Sequence, residues 1–132
     1  KDEGILNYSI KHNKDISGVC QKTIKGYLNH MESILASNYS KRYYFGIPAP
    51  TKDKKSPDEL DLKRTETIKI YNLLFKKEVL SRGSYFLDVY NLTSTIDGVN
   101  NNKYMCDSNH LSPKCLSILF KNHLYQPDSL IQ

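Results

Sequence analysis

The sequence contains no run of eighteen apolar residues and no signal-peptide pattern, which excludes a membrane-spanning helix and shows no export route within these residues. It contains only three cysteines, Cys20, Cys106 and Cys115, odd in number and far apart, so neither a disulfide framework nor a paired-cysteine zinc site is expected. A reducing compartment is favoured, and a cytoplasmic location over a secreted one, with any targeting signal left to a segment upstream of Lys1. No repeat or low-complexity tract is present. Net charge is +5, but the lysines are scattered and the densest run, Lys52-Asp53-Lys54-Lys55, is broken by acid. Nucleic-acid binding wants a continuous basic stripe with stacking or base-reading residues, so solvated lysines are the simpler account and no nucleic-acid partner is expected.

With 39% hydrophobic residues in 132, one core is affordable and two are not. Residues 1–15 are polar and read as a lead-in without chemistry. From Ile16, the positions Val19, Ile24, Tyr27, Leu28, Met31 and Ile34 mostly step by three and four, which is the stripe of an amphipathic helix ending near Ser37. Met31 belongs to its packed face and His30 to solvent. Arg42-Tyr43-Tyr44-Phe45-Gly46-Ile47 is aromatic and too short for a helix, and Pro48-Ala49-Pro50 stops regular structure after it. Its near-continuous apolar character predicts an interior strand, covered on both faces. Ser56-Pro57-Asp58-Glu59 carries helix-start signals, and Ser81-Arg82-Gly83 a glycine stop, so a long helix is expected between them. Tyr85-Phe86-Leu87-Asp88-Val89 reads as a second strand of the same kind. The stretch from Tyr90 to Cys106 reads as a long irregular loop with a turn at Asp97-Gly98. Its Asn91-Leu92-Thr93 matches a glycosylation sequon, a match common by chance and discounted. Ser112-Pro113 then opens a last helix with Leu116, Ile118, Leu119 and Leu124 as its apolar set.

Helix, strand, helix, strand, loop and helix in this order predict an α/β domain with a parallel sheet, its strands at residues 41 to 48 and 84 to 89. Two strands are too few for such a sheet, so the domain is expected to be incomplete, with further strands upstream of Lys1 or from a partner.

One segment carries chemistry. Tyr104-Met105-Cys106-Asp107-Ser108-Asn109-His110-Leu111-Ser112 sets a carboxylate and an imidazole three residues apart, within reach of each other. An Asp that accepts from one ring nitrogen fixes the tautomer and leaves the other nitrogen to take a proton from a nucleophile. The plainer account is an Asx-turn before a helix. Zinc is disfavoured, because Cys106, Asp107, His110 and Cys115 lack the close ligand pairs of a structural site. Cys106 beside Asp107 is a poor nucleophile, since the adjacent carboxylate disfavours its thiolate.

Together, the strand into Pro48-Ala49-Pro50, the helix, the strand at Tyr85, and Asp107-x-x-His110-Leu111-Ser112 resemble the C-terminal half of an SGNH (GDSL-type) hydrolase, from about Ile16 onward. The resemblance implies a three-layer flavodoxin-like parallel sheet and a serine esterase acting on acyl esters without a cofactor. His110 would then be the base and Asp107 its orienting acid, with no metal ligands. The family's Gly-Asp-Ser block and its glycine and asparagine oxyanion blocks have no match in residues 1–132, and Ser9, Ser17, Ser33 and Ser84 lack the required turn. The nucleophile is therefore expected in a missing N-terminal part of the same domain. A non-catalytic relative, with a binding or assembly role, is the alternative. The asparagine-rich loop from Tyr90 to Met105 suggests a hydroxyl-rich substrate, and an acetylated carbohydrate is expected ahead of a long acyl ester.

Overall fold

A computed structural model describes residues 15–35, 41–52, 58–107 and 109–128, and the side chains of all these but 58–61. Among the described residues four helices, α1 (Ile16–Ile34), α2 (Asp58–Ser81), α3 (Val89–Thr93) and α4 (Leu116–Asn122), accompany three short strands, β1 (Tyr43–Phe45), β2 (Tyr85–Leu87) and β3 (Leu124–Tyr125). A 3-10 turn, Pro113–Cys115, leads into α4. The expected cap Ser56-Pro57 and nearly all of the lead-in lie outside the described residues, and the first helix ends at Ile34, three residues before Ser37, because Leu35 leaves the helical region as its C-cap. Asp15, read as lead-in, is in fact the N-cap of α1, its carboxylate accepting from the Gly18 N–H at 3.1 Å.

β1 and β2 pair in parallel with Tyr43 opposite Tyr85 and Phe45 opposite Leu87, as expected of strands joined through a long helix. The sheet is not all parallel, however. Leu124, assigned from sequence to the last helix, lies in β3, which pairs antiparallel with β2 in the order β1-β2-β3. Helix α4 stops because the His123 backbone leaves the helical region, and the strand that follows places the His123 carbonyl 2.9 Å from the Asp88 N–H. The fold is mixed α/β around a small mixed sheet.

All three residues of β2 are buried. Phe86 points to α1 and α2, where Cys20, Ile24, Leu28, Tyr71, Phe75 and Val79 close the main core. Leu87 points the other way, into a second cluster with Val89, Leu92, Cys115 and Leu119. Phe75 meets the Phe86 ring edge-on at 5.7 Å, the preferred geometry of an aromatic pair. β1 differs from expectation. It is an edge strand of the described sheet, and only Tyr44 is buried, while Tyr43 and Phe45 are 39% and 45% exposed. Aromatic character predicted burial on both faces, yet Tyr43 is instead stacked on Tyr85 at 4.8 Å and tilted against Phe120 at 5.4 Å, so ring contacts substitute for a covering layer.

Beyond β1 the two prolines forbid a ladder, and side chains take over the hydrogen bonding. Asn72 of α2 accepts from the Ile47 N–H at 2.7 Å and donates to the Ile47 carbonyl at 3.0 Å. Thr93 of α3 accepts from the Ala49 N–H at 2.9 Å, and Asn100 donates to the Ala49 carbonyl at 2.9 Å. The Asn100 N–H donates to the Pro50 carbonyl at 2.8 Å. Gly46 makes room for this arrangement, because a Cβ there would lie 2.8 Å from Asn72 Oδ1 and 2.9 Å from Phe86 Cζ.

Asn72→Ala strands both Ile47 groups and is expected to lower the unfolding free energy by about 2–3 kcal/mol, at about 1–3 kcal/mol for each buried group left without a partner after partial hydration. Gly46→Ala is expected to cost about 1–3 kcal/mol through overpacking. Urea denaturation checks both, with Lys77→Ala on the exposed face of α2 expected within about 0.5 kcal/mol of the parent.

Candidate functional site

The loop carrying the carboxylate and imidazole is closed by backbone bonds. Met105 and Leu111 form an antiparallel bridge, Cys106 N–H donates to the His110 carbonyl at 2.9 Å, and Ser112 N–H donates to the Tyr104 carbonyl at 2.7 Å. At the tip, Asp107 Oδ1 accepts from the Asn109 and His110 N–H groups, each at 2.7 Å, which is an Asx-turn. The ring then folds back on the same carboxylate, with His110 Nδ1 2.8 Å from Oδ2 and 3.0 Å from Oδ1. Asp107 thus caps the turn and contacts the ring at once.

The Asn109 amide first, and then the His110 ring and amide, hold the Asp107 carboxyl below its ordinary value. An ionised carboxylate only accepts, so Nδ1 carries the hydrogen of this contact, and in the neutral imidazole Nε2 then holds the lone pair. Among the described residues no serine is hydrogen-bonded to His110. The pair is open to water, the His110 and Asp107 side chains being 74% and 54% exposed, so their mutual attraction is strongly screened.

What adjoins the imidazole is a groove of about 400 Å³ beyond the carboxyl ends of β1 and β2. Ligand crevices of open α/β sheets lie at that end. Phe45, Pro48, Leu111, Pro113 and Leu116 give its apolar lining, and His110 lines it too. Sequence reading missed this lining, because its residues come from three separated segments and each is unremarkable alone. The one available signal was Pro48, which had to leave the sheet somewhere.

The asparagine-rich loop behaves otherwise than its composition suggested. Residues 89–93 are helical, Ser94 pairs with Asn100, and Gly98 turns at φ +82°, as the Asp97-Gly98 turn predicted. Asn100 is buried on Ala49, and Asn101 donates to the Leu92 carbonyl at 3.0 Å while its Oδ1 accepts from the Lys103 N–H. Asn102 accommodates a left-handed turn at φ +61°. The polar atoms of Asn100 and Asn101, on which a sugar-binding loop would rely, are spent on backbone. In the sequon, Asn91 is exposed but Thr93 is fully buried, its hydroxyl donating to the Val89 carbonyl at 2.8 Å.

Other candidates are structural. Cys106 Sγ approaches the His110 carbonyl at 3.4 Å, and buried Cys115 donates to the Ser112 carbonyl at 2.9 Å. Ser33 donates to the His30 carbonyl at 2.6 Å, Ser84 is buried, and Ser9 lies outside the described residues. No group of three or more His, Cys, Asp or Glu able to hold a metal occurs among the described residues, nor does any described helix have the length and apolarity to cross a membrane. Neither protein-family models, nor curated proteins, nor solved structures give a match to this chain.

Because the Asp107 pKa is depressed in the fold, its contribution to stability is present above the ordinary carboxylate value of 3.8 and is lost as pH falls through the lower folded value. The Asn109 and His110 amide resonances are therefore expected to titrate with a midpoint below 3.8, as read by two-dimensional NMR; a midpoint at or above that value contradicts the turn geometry.

Proposed function

We propose that the chain carries the acid and base of a serine ester hydrolase, of the SGNH type that its Asp107-x-x-His110-Leu111-Ser112 block resembles. The observation that carries this reading is the Asp107–His110 contact, which in the neutral imidazole leaves Nε2 as acceptor on a residue lining an apolar groove beyond the parallel strands. In this reading a serine hydroxyl, supplied from outside residues 1–132, attacks the ester carbonyl while its proton passes to Nε2. The imidazolium then returns that proton to the departing alkoxide. Water repeats the cycle on the acyl-serine, releasing the acid and regenerating the serine. Asp107 holds the ring in the required tautomer and stabilises the imidazolium, without itself taking the proton. Oxyanion donors would come with the serine.

A second reading, a non-catalytic binding or assembly module, is favoured by the exposure of the pair and by the turn that already accounts for Asp107.

The full-length polypeptide containing these residues is expected to hydrolyse p-nitrophenyl acetate and to be labelled by a fluorophosphonate probe. His110→Ala should reduce turnover by about 10²-fold or more, in keeping with the loss of a general base. Asp107→Asn should reduce it by about 10-fold or more, since an amide no longer enforces the tautomer. Residues 1–132 alone should show no His110-dependent turnover. Full-length protein that is folded, inactive and unlabelled supports the binding module instead, and activity that survives His110→Ala removes His110 from the reaction.

A further inference from the structure

We infer that the groove beside His110 is an acyl-chain subsite, so that the ester this site takes carries a hydrocarbon acyl group rather than an acetylated sugar. The inference rests on the esterase reading for its chemistry but on the groove itself for its ligand. At about 400 Å³ the groove falls within the range of small-molecule sites. Its apolar lining, Phe45, Pro48, Leu111, Pro113 and Leu116, offers methylenes and rings to a ligand. Sugar hydroxyls laid against them would lose water without gaining partners, whereas each methylene gains by leaving water. Phe45 and Leu116 remain 45% and 40% exposed, so the groove stands open to a ligand. The polar side chains of the lining are those of Asn109, His110 and Ser112, consecutive or nearly so on one loop. A chain seated along the walls therefore brings its carboxyl end to the imidazole. The loop that favoured sugars does not compensate, because Asn100 and Asn101 are engaged with backbone.

The test separates the subsite from the catalysis. Octanoate, hexanoate, butyrate and an acetylated methyl xyloside are titrated into residues 1–132 and followed by amide shifts at Leu111 and Leu116. Affinity is expected to rise roughly fourfold per methylene through the series. Leu116→Asp should weaken octanoate at least about 10-fold, because the new carboxylate lies against the chain. The first turn of a helix tolerates Asp, so this variant should fold. Equal affinities along the series, tighter binding of the xyloside, octanoate unaffected by Leu116→Asp, or no octanoate binding would each overturn the subsite. In the full-length polypeptide kcat/KM on p-nitrophenyl esters should climb with acyl length. A flat profile with His110-dependent turnover overturns the subsite and leaves the esterase reading intact, while graded octanoate binding without such turnover upholds the subsite and removes the esterase.

Discussion

Two prolines two residues apart, shortly after a strand at the edge of the described sheet, impose the constraint on which the site depends. Pro48 and Pro50 have no N–H, so the chain cannot extend β1, yet Ile47 and Ala49 still present polar groups that must be satisfied as they become buried. Asn72, Thr93 and Asn100 satisfy them from three different elements. The consequence reaches in both directions. Toward the core, the bidentate Asn72 forces Gly46 to lack a Cβ and seats it against Phe86. Toward the surface, it fixes Pro48 as a wall of the groove and pins the loop after α3 beneath it.

The Asp107–His110 pair is organised on a smaller scale. Its geometry is local, made within four residues by an Asx-turn whose carboxylate has oxygen enough for two amides and a ring. Local construction makes the pair independent of the sheet for its existence, though not for its position. The bridge between Met105 and Leu111 and the 3-10 turn at Pro113 carry it to the carboxyl end of β1 and β2. Exposure sets its chemical limits: water screens the carboxylate, and a substrate or a covering segment would have to exclude that water before the imidazole gained much basic advantage.

Polar residues near a candidate site invite a ligand reading, and Asn100 and Asn101 show a second use for the same side chains. Asn is common both where ligands are held and where backbone needs a substitute partner. Only the position of Ala49, 51 residues earlier in sequence, distinguishes the two uses for Asn100. Apolar side chains carried the opposite signal without announcing it, since Phe45 and Leu116 each match an ordinary core residue until they are found together beside half-buried Leu111 and still open to solvent.

From the sequence by itself followed the stripe of α1, the long helix α2 with its stop at Gly83, two parallel strands, the turn at Gly98, the helix start at Ser112 and the reach of His110 to Asp107. All of these are written in short-range periodicity, in backbone preferences or in contacts a few residues apart, where chain geometry leaves few choices. Tertiary structure alone decided that β1 is an edge of the described sheet, that Leu124 joins β2 as an antiparallel strand, that Asn72 and Asn100 serve Ile47 and Ala49, and that an apolar groove adjoins the imidazole. These depend on contacts between residues tens of positions apart. Such contacts follow from how the whole chain buries its apolar surface and satisfies its backbone, and no local pattern encodes which distant partner will be used.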